Sequence, residues 1–148
     1  MDVLIDAVGW LTDPENWRGP DGVATRLIEH VQLTVVSVVI ACVIAIPIAL
    51  WLGHIGKGGT LAISVSNIGR AVPTFAVLVL LFLTPLGLSV WSTIIALVLF
   101  AIPPILTNTY VGMREVDRDV VDAARGMGMG GSQLMRKVEL PLAVPLLM

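Results

Sequence analysis

The sequence predicts an all-α, polytopic membrane protein, and three observations carry that reading. Of the 148 residues, 56% are apolar and 14% charged, with a mean hydropathy of +0.91, whereas soluble domains run near half apolar and about a quarter charged. No Asp, Glu, Lys or Arg occurs from Val31 to Gly53, from Gly58 to Gly69, or from Ala71 to Met113. The charges that remain are sorted by sign along the chain. A soluble fold of this length needs polar residues to cover its surface, and here they are missing.

An α-helix rises about 1.5 Å per residue and the hydrocarbon core is about 30 Å thick, so about 20 apolar residues make one crossing. Residues 1–29 read as an extracytoplasmic segment. They lack the basic start, apolar core and small-residue cleavage site of a signal peptide. Asp13-Pro14-Glu15-Asn16 and Gly19-Pro20-Asp21-Gly22 read as turns, and Trp10 and Trp17 suit the outer headgroup region, as does Trp91; Trp51 suits the inner one. The first span is predicted at 30–53. Residues 58–69 lie at the interface or extend the second helix inward. The stretch from Ala71 to Met113 is too long for one crossing and about right for two, predicted at 70–86 and 90–112. Thr84-Pro85-Leu86-Gly87-Leu88-Ser89 reverses the chain between them, because Pro85 limits helix continuation and Gly87 permits the turn.

Basic residues collect on the cytoplasmic side of short loops. Lys57 follows the first span, and Arg114, Arg118, Arg125, Arg136 and Lys137 follow the third, while Asp2, Asp6, Asp13, Glu15 and Asp21 outnumber Arg18 and Arg26 before the first. The N-terminus is therefore expected outside, Gly53 to Gly59 inside, Pro85 to Trp91 outside, and residues 113–141 inside, with 142–148 starting a further span.

Several apparent chemical motifs fail on their context. Gly126-Met127-Gly128-Met129-Gly130-Gly131 has dinucleotide-like glycine spacing but no strand before it and no acid about 20 positions later. Gly53-His54-Ile55-Gly56-Lys57-Gly58 lacks the Ser or Thr that a phosphate loop needs after its Lys. Asp117, Asp119 and Asp122 sit among Arg114, Arg118 and Arg125, where a solvated helix start explains them better than a metal site. His30 and His54 read as isolated residues at span ends. Cys42 has no cysteine partner in the chain. No nucleophile, base and orienting group converge, so no enzymatic activity, cofactor or nucleic-acid partner is expected.

The informative segment runs from Glu115 to Pro141. Asp117 or Asp119 is placed to cap a helix on which Val116, Val120, Ala123, Ala124 and Met127 make an apolar stripe. Glycines at 126, 128, 130 and 131 end it. Ser132 is placed to cap a second helix whose last turn holds Arg136 and Lys137. Such a pair lies on the inner leaflet or docks into a partner's cleft. Docking better explains an Ala-Ala pair at fixed distance from a Leu-Pro.

Asp122-Ala123-Ala124, Gly128 four places after Ala124, and Val138-Glu139-Leu140-Pro141 together resemble the Glu-Ala-Ala loop of permease subunits in binding-protein-dependent ATP-binding cassette importers. Asp122 to Met129, Asn67-Ile68-Gly69-Arg70-Ala71-Val72-Pro73 and Asn108-Thr109-Tyr110 look most like the permeases that import osmoprotectants such as glycine betaine, choline, carnitine or proline. The resemblance covers residues 25–148. Asp122 stands where the family usually has Glu, and family members continue with two or more spans beyond the Leu-Pro, so the chain reads as truncated at its C-terminus.

The resemblance implies alternating access driven by separate ATPase subunits, which bind the ATP. It implies three kinds of partner besides the lipid bilayer: the ATPases, an extracytoplasmic substrate-binding protein, and a second permease copy or paralogue. The docking element would be Val120, Asp122, Ala123, Ala124, Arg125, Gly126 and Gly128, with Leu140 and Pro141 fixing the return. Arg125 either pairs with an acid on the ATPase or is a solvated surface charge. Asn67, Arg70, Pro73 and Asn108 are candidates for the translocation pathway, since polar groups and helix breaks at membrane depth face protein or a water-filled cavity. Arg70, near the inner end, is better placed to snorkel to the headgroups than to line the pathway. The rival reading is a small structural or channel-forming membrane protein without an ATPase.

Overall fold

The structure is a computed structural model. It describes the backbone of residues 2–146, and side-chain surroundings for all of these except Asp2, Leu61, Ile63, Ser66, Arg70 and Leu146. Among the described residues every regular element is helical. The chain forms two compact units, Met1–Val36 and Ser37–Met148.

The first unit holds helix α1 (Asp2–Thr12), a 3-10 turn (Pro14–Trp17) and the start of α2 (Val23–Ile55). Asp13 caps the 3-10 turn by accepting from the Glu15 amide at 3.0 Å, with Pro14 at the first helical position, where a missing N–H costs nothing. The last carbonyls of α1 are taken up by side chains from the turn. Asn16 Nδ2 donates to the Trp10 carbonyl at 2.9 Å and Trp17 Nε1 to that of Leu11 at 2.7 Å. Arg26 pairs with Asp21 and, at 2.8 Å, with Glu29. The hydrogen bonds it donates, to Glu29 first and Asp21 second, raise its already high pKa.

Two helices are long and apolar enough to cross a membrane, α2 with 33 residues and α5 (Val90–Glu115) with 26. They contain the spans expected at 30–53 and 90–112. On α2, Ser37, Ala41, Ala45, Ala49 and Gly53 recur every four residues and are buried, a stripe of small side chains that lets backbones approach closely. Ala45, Ala49 and Leu52 meet Ala62, Leu106 and Tyr110 in one cluster. Pro47 lies inside α2, and Pro103 and Pro104 inside α5.

The span expected at 70–86 is divided. Helix α3 (Gly59–Ala71) ends before Val72 and α4 (Thr74–Phe82) begins after Pro73. Proline disfavours helical backbone in the residue before it, and Val72 is accordingly extended at φ −84°, ψ 120°. Helix α3 takes up most of residues 58–69, expected either at the interface or as an inward extension of the second helix. It packs along α5 so closely that a Cβ on Gly69 would stand 2.4 Å from Pro103 Cγ, and Thr107 Oγ1 donates to the Ala62 carbonyl at 3.2 Å. The reversal before α5 falls at Leu83–Ser89, with Gly87 at φ +55° and Ser89 capping α5.

Candidate functional site

The loop end of the second unit is built from the turn between α2 and α3, the last turns of α5, and everything after Glu115. Gly53, Gly56 and Gly59 bring that turn against α5. A Cβ on each would stand 2.5 Å from Met113 Cβ, 2.8 Å from Arg114 Nη1 and 2.7 Å from the Tyr110 hydroxyl, respectively. Gly56 also has φ +67°, a conformation that L side chains resist.

Helix α6 (Arg118–Gly126) follows at Val116–Asp117. Asp117 is its N-cap and accepts from the Asp119 amide at 2.9 Å. Arg118 Nη2 donates back to the Arg114 carbonyl at 3.2 Å, satisfying an orphan acceptor at the end of α5. At the far end of α6, Met129 N–H donates to the Ala124 carbonyl at 3.2 Å and Gly128 N–H to that of Arg125 at 2.9 Å. With Gly128 at φ +86° these two bonds make a Schellman motif. Its usual hydrophobic clasp is present, because Met129 packs on the cluster that contains Ala124. The four-residue spacing from Ala124 to Gly128 is the spacing this stop signal requires.

The expected apolar stripe divides between two faces. Val116, Val121 and Ala124 are buried with Met113, Leu134 and Ala143 in a second cluster, against which Leu50, Met135 and Val138 pack. Val120 and Ala123 are exposed, and Met127 is 73% exposed. Ala124 therefore contributes to the chain's own core, which corrects the expectation that it joins Ala123 on a docking face. Asp122 and Arg125 pair with each other at 3.6 Å, both largely exposed, a contact worth about 0.2–0.5 kcal/mol. Gly126 closes the helix with open space around it.

The return segment comprises α7 (Gly131–Leu134), a π turn (Met135–Glu139) and α8 (Leu140–Ala143). Its N-cap is Gly130 without a side-chain bond, so Ser132 is not the cap. The chain stays helical through Leu140 and the exposed Pro141. The π turn relaxes the ladder just where proline offers no N–H.

The sequence reading missed a pair. His54, read as isolated, meets Glu139 through Nδ1 and Oε2, and Glu139 is 1% exposed. The pathway candidates show no such convergence. Asn67, Pro73 and Asn108 are each exposed in the chain, and the side chain of Arg70 lies outside the described residues. Val72 and Thr74, on either side of Pro73, line an apolar cavity of about 200 Å³ with Gly69, Val77, Ala96 and Phe100. Among the described residues no group of three His, Cys, Asp or Glu side chains is placed to hold a metal ion.

Residues 28–148 match the family described as the binding-protein-dependent transport system inner membrane component. The chain is 34% identical over 120 residues to the glycine betaine/carnitine/choline transport system permease protein OpuCB of Bacillus subtilis, covering 81% of this chain and 55% of that protein. It is 34% identical, over the same shares, to the choline transport system permease protein OpuBB of Bacillus subtilis. It is also 33% identical to the osmoprotectant import permease protein OsmY of Salmonella typhimurium, over 80% of this chain and 51% of that one. The chain thus spans about half the length of the curated relatives it matches. No solved structure matches it. With most of its length under the family's model, the chain belongs to the binding-protein-dependent transport system inner membrane components.

Proposed function

We propose that this chain is a transmembrane subunit of an ATP-driven importer of osmoprotectants such as glycine betaine, choline, carnitine or proline, working by alternating access. Separate ATPase subunits bind and hydrolyse the ATP, an extracytoplasmic binding protein delivers the substrate, and a second permease copy or paralogue completes the pathway. The N-terminus is outside and α6 inside, with α2 and α5 as two crossings and α3–α4 as a third, broken at Pro73. Broken helices are tolerated at membrane depth where they face protein or a cavity.

The observation that carries this reading is the outer face of α6. Val120, Ala123 and Met127 stand exposed on a helix whose opposite face is anchored in the core and whose two ends are capped. A small side chain at Ala123, between two apolar ones, suits close seating in a groove. The names of the relatives support the substrate class.

The test is copurification of the ATPase with the membrane-extracted chain. Ala123→Phe should abolish retention of the ATPase while the chain stays inserted. Gly128→Asp should abolish coupling, because it adds a charged side chain at the exposed turn that ends α6 and crowds the groove. Full retention and stimulated turnover in both variants would sink the assignment of α6 as the docking element, and absence of any ATPase with the parent chain would favour the rival.

A further inference from the structure

Glu139 is the charged side chain buried most deeply among the described residues, at 1% exposure. It closes the π turn of the return segment and its Oε2 meets Nδ1 of His54, in the last turn of α2, across 85 residues of sequence. The other oxygen, Oε1, is enclosed with no donor among the described residues. A buried carboxylate needs compensation, and here the imidazole is its one described partner. His54 is close to the start of the same segment as well, since a Cβ on Gly131 would come within 3.4 Å of its Nε2. The imidazole therefore holds the return segment at Glu139 and passes close to its start at Gly131.

Beside this pair, Leu50 of α2 packs on the apolar cluster of Met113, Val121, Ala124 and Leu134. Apolar surfaces resist compression but fix direction weakly. A hydrogen bond to a carboxylate is directional and resists separation. Glu139 stands at the C-terminal end of the π turn, and such turns are frequent at functional sites.

We propose that His54 and Glu139 form a positioning pin that transmits displacement of the docked α6 loop to α2, so that movement of the ATPase moves a membrane helix rather than flexing the loop. This rests on the coupling reading above. The pin needs reach more than charge. Glu139→Gln keeps the reach, with an amide able to donate to the neutral imidazole, while Glu139→Asp keeps the charge and falls short by one methylene.

The experiment uses the full chain, co-produced in membrane vesicles with the ATPase and binding protein of its own system. It reads bound ATPase, ATP hydrolysis and uptake of labelled glycine betaine. Glu139→Ala, Glu139→Asp and His54→Ala should each lower uptake about ten-fold or more with ATPase retention unchanged and hydrolysis persisting, and Glu139→Gln should stay within about two-fold of the parent. Unchanged uptake in Glu139→Ala overturns the pin. So does loss of bound ATPase together with uptake, which would make the pair part of docking or folding. An ATPase that never binds the parent chain refutes the coupling reading instead.

Discussion

Ala123 and Ala124 are adjacent and chemically identical, and they face opposite ways. Ala124 is 2% exposed in the cluster beneath α6, so Ala124→Phe overpacks it and should cost about 1–3 kcal/mol, read as a lowered Tm of the detergent-solubilised chain. Ala123→Phe should leave Tm unchanged and act on ATPase retention alone. Gly128 has φ +86° and open space around it. Gly128→Ala should therefore cost about 1–2 kcal/mol by conformation only, with Gly128→Asn milder, measured by amide exchange in α6. An equal exchange rate in both variants would contradict the Schellman assignment. The motif residues were legible in the sequence, but their facing was not. Val120 and Val121 are neighbours in a nine-residue helix, and which of them turns inward is decided by the contacts of Leu134 and Ala143, far along the chain.

At the scale of elements, local chemistry set most boundaries. Asp117 caps α6, and Asp117→Ala should cost about 1 kcal/mol and accelerate exchange in its first turn. Gly69 presses α3 onto Pro103 of α5, with a Cβ at that site only 2.4 Å from Cγ. Gly69→Val should lower Tm by more than Gly126→Val, where nothing lies nearby, and equal shifts would contradict the close packing of α3 on α5. The break at Val72–Pro73 follows from a proline the sequence displays. Apolar content alone obscured it, because no charge occurs between Ala71 and the end of α4 to mark a boundary at Pro73. The His54–Glu139 contact was invisible for a different reason. Its partners lie 85 residues apart, beyond the reach of any local spacing rule.

For the whole molecule, hydropathy and the sorting of charge carried the reading furthest. Two helices long enough to cross a membrane stand where charge-free stretches predicted them, and the basic residues gather at the loop end. That sorting predicts orientation. In a Cys42→Ser background, a cysteine replacing Lys57 or Arg136 should react with an impermeant thiol reagent only from the cytoplasmic side, and one replacing Leu86 only from outside. Inverted labelling would refute the proposed topology.

The central claim is that the exposed face of α6 is where the ATPase grips the chain. A photo-crosslinking residue at Val120 or Met127, activated in intact membranes, tests it most directly. The account predicts a crosslink to the ATP-hydrolysing subunit from both positions. Crosslinks from both to lipid or to a second copy of the chain, with none to an ATPase, would contradict it.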